Sequence, residues 1–468
     1  MAQLAGNNCV PKVAFKTLGC RSNYADTVEA QFAVLEQGAE IVEFSEEADV
    51  YVLNTCTVTS GADKDAQRIL RQLRKKHHAA KIIVMGCLAE HGFHELEERK
   101  LVDVVIKKHD KNRLAEIIFS DNIQNTTQDH SSLIQIRNTS QAVSGINRPL
   151  SSLLKGPGEF TGAVQMRSRF HLRIQDGCEN FCTYCIVPRV RGKFISRSIE
   201  MILEDVKLLS GLGYGEIVLT GTHIGTYGVD IGTSLEELLV KLEDFIPTLN
   251  TPPRIRLSSL DPNELSKNLI DFISKSSIMC NYLHVCFQSF SDKILKRMGR
   301  KYRLQEAIDA AHYAAKSINN CYIGSDLICG FPGESREDVE KAVNLFLDLP
   351  LSYLHVFPYS ERQSTPAAKF EEIVPPKERK ARADLWRKHA KQKWQNFLNS
   401  LLGSPLEIIV EQISNGQIRG TSREYASVRV NLENADKLSN ALQLGKRLKV
   451  TPVGIKQDDA DCWIEAVF

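Results

Sequence analysis

Three cysteines, Cys178, Cys182 and Cys185, fall in the stretch Gln175-Asp176-Gly177-Cys178-Glu179-Asn180-Phe181-Cys182-Thr183-Tyr184-Cys185-Ile186-Val187-Pro188. They follow the apolar-alternating run Phe170 to Ile174, which puts them on a loop leaving the end of a strand. A structural zinc is closed by four ligands, usually arranged as two pairs, and no local Cys or His supplies a fourth here. A 4Fe-4S cluster held by three thiolates keeps one iron open to an outside ligand, and at that iron chemistry can happen. The alternatives are a zinc knuckle that borrows a remote ligand, or unligated thiols in a reduced protein.

A second set of cysteines lies upstream. Val13 to Leu18 reads as a strand ending in Gly19-Cys20, Asp49 to Asn54 ends in Thr55-Cys56, and Lys81 to Met85 ends in Gly86-Cys87. Helical spacing separates them, with Val28, Phe32 and Leu35 before Gly38, then Ile69, Leu70 and Leu73. A further strand near Val102 to Ile106 and a helix near Lys111 to Phe119 complete this region. Strands alternating with helices predict an open parallel sheet, whose ligands bind outside the carboxyl ends of the strands. One cysteine after a strand is usually core packing. Three at one sheet edge are candidates for a second cluster.

Strand and helix patterns keep alternating after Cys185, with strands expected near Glu216 to Leu219, Arg254 to Leu257, Tyr282 to Cys286, Tyr322 to Ile328 and Tyr353 to Phe357. With the strand before Cys178 they make six β/α units, in which reactive groups gather at the carboxyl ends. Gly221-Thr222-His223, Ser258-Ser259, Gln288-Ser289 and the turn beginning at Gly330 stand there and are candidates for a cofactor. Cys280, Cys286, Cys321 and Cys329 share no motif and read as core filler.

Pro375-Pro376 announces a basic helix bearing Lys377, Arg379, Lys380, Arg382, Arg387, Lys388, Lys391 and Lys393, interleaved with Trp386 and Trp394. Another basic helix follows Cys56, with Lys64, Arg68, Arg71, Arg74, Lys75 and Lys76. Each suits either a solvated face or a phosphate-binding one. From Pro405 the pattern changes to short strands, with an Asn415-Gly416 hairpin turn. Five strands in about sixty residues predict a small antiparallel barrel, an architecture common among oligonucleotide binders.

The length predicts two or three domains. No apolar stretch is long enough to span a membrane, and the first residues lack a basic region followed by an apolar segment. Twelve cysteines without a secretion signal fit a reducing compartment, so a cytoplasmic protein without membrane partners is expected.

The CxxxCxxC pattern resembles the radical S-adenosylmethionine (SAM) superfamily. Its surroundings, Gln-Asp-Gly-Cys then Phe-Cys-Thr-Tyr-Cys-Ile-Val-Pro and Arg191-Gly192, resemble the methylthiotransferase branch. Thr17-Leu18-Gly19-Cys20-Arg21-Ser22-Asn23, Asn54-Thr55-Cys56-Thr57-Val58-Thr59 and Met85-Gly86-Cys87-Leu88-Ala89-Glu90 resemble the three cysteine motifs of that branch's first domain. The resemblance implies two 4Fe-4S clusters, on Cys178, Cys182 and Cys185 and on Cys20, Cys56 and Cys87. SAM on the first would be split to a radical that takes a hydrogen from carbon 2 of an adenine, and the second would deliver sulfur. It implies an α/β fold of an open parallel-sheet domain (1–120), a linker (121–165), a partial (β/α)6 radical SAM barrel (166–400) and a TRAM domain (401–468). The motifs look most like those of the bacterial methylthiotransferases of N6-threonylcarbamoyladenosine at tRNA position 37. The implied partners are a tRNA anticodon stem-loop and an electron donor such as flavodoxin or ferredoxin, and a monomer is expected. SAM contacts are then expected from Gly221, Thr222, His223, Ser258, Ser259, Gln288, Ser289 and Gly330. The chain departs from the family where it reads His284-Val285-Cys286-Phe287-Gln288-Ser289-Phe290, with Phe in place of Gly, and at Asp261, where many relatives have Glu.

Overall fold

The computed structural model describes residues 10–91, 100–119, 149–150, 168–432, 443–458 and 461–468. The linker expected over 121–165 lies almost wholly outside them. The chain forms two compact units, residues 1–165 with 189–192, and residues 166–188 with 193–468.

In the first unit, strands β1 (Lys12–Thr17), β2 (Glu40–Val42), β3 (Val50–Thr55), β4 (Lys81–Gly86) and β5 (Val104–Val105) form a parallel sheet in the order β2-β1-β3-β4-β5. Helices α1 (Arg21–Glu36), α2 (Ser60–Lys76), α3 (Cys87–His91) and α4 (Leu114–Phe119) connect or follow them. Successive strand residues alternate between two cores. Val13, Phe15, Val50, Val52, Ile83 and Met85 meet α1 and α4, while Ala14, Tyr51, Leu53, Ile82 and Val84 meet α2 and α3. A sheet apolar on both faces needs this double cover.

In the second unit, β6 (Phe170–Arg173) pairs with β9 (Glu216–Thr220), and β9 with β10 (Arg254–Leu257), while β11 (Tyr282–His284), β12 (Tyr322–Cys329) and β13 (Tyr353–Pro358) form a second parallel sheet. Parallel bridges Ile255–Met279 and Leu260–Val285 join the two, giving six strands in chain order. A short ribbon of β7 (Gln175–Asp176) and β8 (Ile195–Ser196) stands at the edge. α5 (Val187–Arg191) begins in this unit and ends in the first, and the accompanying helices are α6 (Ile199–Gly211), α7 (Leu235–Phe245), α8 (Lys267–Lys275), α9 (Asp292–Arg297), α10 (Leu304–Ser317), α11 (Arg336–Asp348) and α12 (Pro376–Ser400). Ser198, Ser234, Ser266 and Ser335 cap α6, α7, α8 and α11, each accepting a bond from a first-turn amide.

β14 (Leu406–Ser414), β15 (Gln417–Ser422), β16 (Ser427–Asn431), β17 (Arg447–Gln457) and β18 (Cys462–Val467) close into a barrel in the order β14-β15-β16-β18-β17. Asn415 and Gly416, both at positive φ, make the tight turn between β14 and β15. The ring differs from the antiparallel expectation at one pair, since β16 and β18 run parallel. An odd number of strands cannot alternate direction all the way round a closed ring, so at least one pair must be parallel.

This small barrel seats on the amino ends of β9 to β12. Arg254 donates to the carbonyls of Glu407 (2.8 Å) and Thr421 (3.0 Å), and Arg256 to that of Ser422 (3.0 Å). Both bind Glu216, at 2.7 Å each, and all three are buried. Beside them the stacked Tyr282–Tyr322 pair meets Tyr425 of the small barrel. In return, Arg423 donates to the carbonyl of Met279 (2.9 Å).

Candidate active site

In the first unit, two glycines bring the strand ends together. A Cβ on Gly19 (φ +105°) would lie 2.5 Å from the Cβ of Cys56, and one on Gly86 (φ +96°) 2.3 Å from Asn54 Oδ1. Only glycine tolerates both the conformation and the approach, so Gly-Cys is a packing requirement as well as a motif. Cys20, Cys56 and Cys87 converge around the fully buried Asn23. Its Oδ1 accepts from the Cys20 thiol (3.1 Å) and Arg191 (3.0 Å), with Cys87 Sγ 4.0 Å away, and its Nδ2 donates to Asn54 and Thr55. The buried Asp26 carboxylate pairs with both Arg191 (3.0 Å) and Lys111 (2.5 Å). Arg191 and Lys111 both favour the Cys87 thiolate, against the opposing Asp26 carboxylate, which suits a site that gathers thiolates. Burial pushes Cys56 up to about 11 and raises Cys87. Without a metal these thiols keep their protons.

In the second unit the Cys178–Cys185 loop is pinned at Thr183. Its amide donates to Met298 O (2.9 Å), its hydroxyl to Arg297 O (2.8 Å), and its carbonyl accepts from the Ala367 amide (2.8 Å). Arg300 donates to Cys182 Sγ (3.3 Å) and pairs with Asp261, which also accepts from Asn180 Nδ2 (2.9 Å). His223 Nδ1 lies 3.8 Å from Cys178 Sγ and its Nε2 contacts Glu264. Burial disfavours charge on His223, yet its hydrogen bonds with Cys178 and Glu264 and the nearby Asp261 prevail and hold it up at about 10. Burial pushes Cys185 up to about 12. Three converging thiols with a guanidinium against one of them match the donor set and charge of a three-thiolate iron-sulfur site.

The other expected site residues stand at the carboxyl ends of the strands and divide by surroundings. Thr222 donates to Asp176 (2.8 Å), His223 N to Gln175 (2.9 Å), and Gly221 packs so close to Gln175 that a Cβ would lie 2.8 Å from its Oε1. The buried Ser258 hydroxyl has no hydrogen-bond partner among the described residues. Ser259 bonds to Cys286. Gln288 takes φ +59° and pairs its backbone with β12, while the Ser289 hydroxyl accepts from Ser291 N. Gly330 serves the fold: its amide donates to Glu334 (2.6 Å) and a Cβ would lie 2.3 Å from Arg379. Phe290 turns away from the loop, stacking on Trp386 (5.6 Å, 24°) and meeting Phe287 and Phe346. Sequence reasoning gave no role to Asn23 and Asn180, though both stand inside the cysteine motifs, and missed Arg300, Glu264 and Asp26, whose partners here are distant in the chain.

The Radical SAM superfamily model matches residues 172–346, and that of Uncharacterized protein family UPF0004 matches residues 12–107. The chain is 34% identical over 85% of its length to "Threonylcarbamoyladenosine tRNA methylthiotransferase MtaB" of Aquifex aeolicus (strain VF5), covering 92% of that protein. It belongs to the radical SAM methylthiotransferases. Such an enzyme uses SAM and a 4Fe-4S cluster. This methylthiotransferase is also 33% identical to the protein of the same name from Bacillus subtilis (strain 168), covering 86% of this chain and 85% of that one. To "Ribosomal protein uS12 methylthiotransferase RimO" of Clostridium perfringens (strain SM101 / Type A) it is 30% identical, covering 89% and 90%. In fold it resembles the radical SAM methyltransferase TsrM of Kitasatospora setae (TM-score 0.55, 14% identity, 77% of each chain). No helix among the described residues is long and apolar enough to cross a membrane.

Proposed function

We propose that this methylthiotransferase adds a methylthio group to carbon 2 of N6-threonylcarbamoyladenosine at position 37 of tRNA. What carries the reading is its identity, over most of its length, to several proteins named for that reaction. Cys178, Cys182 and Cys185 would hold the cluster that binds SAM, and Cys20, Cys56 and Cys87 a second. When bound, these groups would pass on the electron, taken from an outside donor, that cleaves SAM and supply the sulfur that is transferred. Arg300 and His223 place positive charge and hydrogen bonds on Cys182 and Cys178, and the Arg300–Asp261–Asn180 chain holds the loop in position. Arg191 and Lys111 do the corresponding work beside Cys87. RNA phosphates are met by the outer face of α12, where Lys388 and Lys391 are exposed, and by the small barrel.

Nucleoside mass spectrometry of tRNA from a strain lacking the gene tests the reading. Loss of the 2-methylthio form with accumulation of threonylcarbamoyladenosine is expected, restored by the wild-type gene. Unchanged tRNA, with loss of the modification from the ribosomal protein instead, would move the enzyme to the substrate named for its 30%-identical relative. Anaerobically reconstituted protein should carry about eight irons, and the Cys178→Ala/Cys182→Ala/Cys185→Ala variant about half of them.

A further inference from the structure

The small barrel follows the strand order first-second-third-fifth-fourth, with the third and fifth parallel, which is the order of an oligonucleotide-binding fold. That fold takes its ligand on the face of the second and third strands, flanked by the loop between the first two strands and the loop between the last two. Here the strands are β15 and β16, and the loops are the Asn415-Gly416 turn and the turn between Gln457 and Cys462.

Alternation decides what this face offers. Ile418, Val428, Val430, Ile464 and Ala466 point into the core, so their neighbours Arg419, Arg429, Trp463 and Glu465 point out. Register sets Arg419 beside Arg429, and Arg429 beside Glu465. The Arg429 guanidinium lies over the Trp463 ring, 3.3 Å from its centroid, while Lys456, the cross-strand neighbour of Trp463, holds Glu465 at 3.0 Å. The acid of this group is thereby neutralised, leaving two arginines and a half-buried indole at the surface. An exposed cation–π pair adds little to the stability of a fold. A guanidinium plane or an indole is, however, a surface on which an unpaired base can stack.

The same face adjoins the basic helix. Trp394 of α12 donates to the carbonyl of Cys462 (3.3 Å), the residue before Trp463, and Gln395 donates to Gln457 (2.6 Å). The exposed Lys391 lies near enough to favour the Cys462 thiolate. A polynucleotide drawn to the outer charge of α12 is therefore led to the β17–β18 turn, one residue from Trp463.

We propose that the outer face of β15, β16 and β18 is a stacking platform for an unpaired base of the RNA, which lies against the Arg429–Trp463 pair while Arg419 meets an adjoining phosphate; this rests on the tRNA reading above. Stacking tolerates any base, because every base has a π-face. The platform therefore grips the RNA without reading its sequence, and the choice of target is left to the active site.

The test uses the full chain with its clusters reconstituted, an anticodon stem-loop and a fully paired duplex of the same length. Kd is measured at several salt concentrations, with iron content and melting temperature as checks on assembly. Trp463→Ala should raise the Kd for the stem-loop at least ~5-fold without altering its salt slope, and should affect the duplex less. Arg419→Ala should weaken binding and shallow the slope by roughly 0.7. Tryptophan emission should be quenched when the wild type binds the stem-loop, and that quenching should be largely lost in Trp463→Phe. This second readout keeps a ring in place, so it decides the matter even where alanine disturbs the barrel. Equal quenching in Trp463→Phe, or an unchanged Kd in folded Trp463→Ala, overturns the platform and leaves the substrate reading standing. A shallower slope in Trp463→Ala would make the face a phosphate contact and likewise overturn the stacking role. A wild type that binds the ribosomal protein and not the stem-loop overturns the substrate reading and the platform with it.

Discussion

A thiol must surrender its proton before it binds iron, and here burial resists that. Cys56 is pushed up to about 11 and Cys185 to about 12 by burial. In the unfolded chain they ionise near 8.5. The folded, metal-free protein therefore keeps protons that the unfolded chain releases, and its stability falls as pH climbs from about 8.5 towards those raised values. We expect the urea midpoint of metal-free protein to drop between pH 8.5 and 11, and iron loading to flatten that slope, because ligated thiolates no longer titrate. Arg300 offers a second prediction. Arg300→Leu leaves the Asp261 carboxylate, whose side chain is 13% exposed, with His223 at 3.7 Å as its remaining cation, and should lower the urea midpoint. If Cys182 is a cluster ligand, the variant's cluster should also have a lower reduction potential, read by redox titration. Cys178, Cys182 and Cys185 were legible because their spacing is local, and Cys20, Cys56 and Cys87 because each follows the end of a strand. Arg300 was not, since 118 residues separate it from Cys182 and only the barrel joins them.

At the scale of elements, alternating periodicity placed the long parallel strands within a few residues, because each carries a full apolar face, whereas β17, expected near Arg447 to Val450, runs on to Gln457. β2 was missed: it is three residues long and pairs only at the sheet edge. Phe290, which stands in place of the Gly of the family pattern, fills space among Phe287, Phe346 of α11 and Trp386 of α12. Phe290→Ala should cost about 3–5 kcal/mol in thermal or urea unfolding with SAM affinity little changed. The basic helix α12 proves two-sided. Arg382 pairs with Glu334 (2.7 Å), Arg379 donates to Tyr359 O and Lys393 to Leu349 O, so part of its charge holds the fold. Lys388 and Lys391 remain outside. Lys388→Ala/Lys391→Ala should weaken RNA binding and shallow its log-log salt dependence by roughly 0.7 per lost contact. An unchanged slope would give the helix to structure alone.

The whole second unit is held at one end by Glu216 between Arg254 and Arg256. Burial works against the Glu216 charge, but the two guanidiniums prevail and hold its carboxyl well below the usual carboxylate range. Its contribution is present above about pH 4.3 and disappears as pH falls through the lowered folded value, so melting temperature should drop on acidification below about pH 4. Glu216→Gln should remove about 3–5 kcal/mol at neutral pH, by taking the carboxylate from the buried Arg256 and leaving Arg254 with Glu407 at 3.4 Å. Truncation after Gly403 would strip carbonyl acceptors from both arginines and uncover Tyr282 and Tyr322, so it tests folding as much as RNA capture. Nothing in the local sequence signals this seat. Arg256 and Arg423, whose carbonyl it binds, are 167 residues apart. A ribosome crosses that interval in roughly 8–33 s at 5–20 residues per second. Until then the nascent chain holds a nearly complete six-stranded barrel whose arginines still lack half their partners. A message that ends early, anywhere before the last barrel, would release a product with buried charges unmet and an aromatic floor uncovered, a ready substrate for proteolysis.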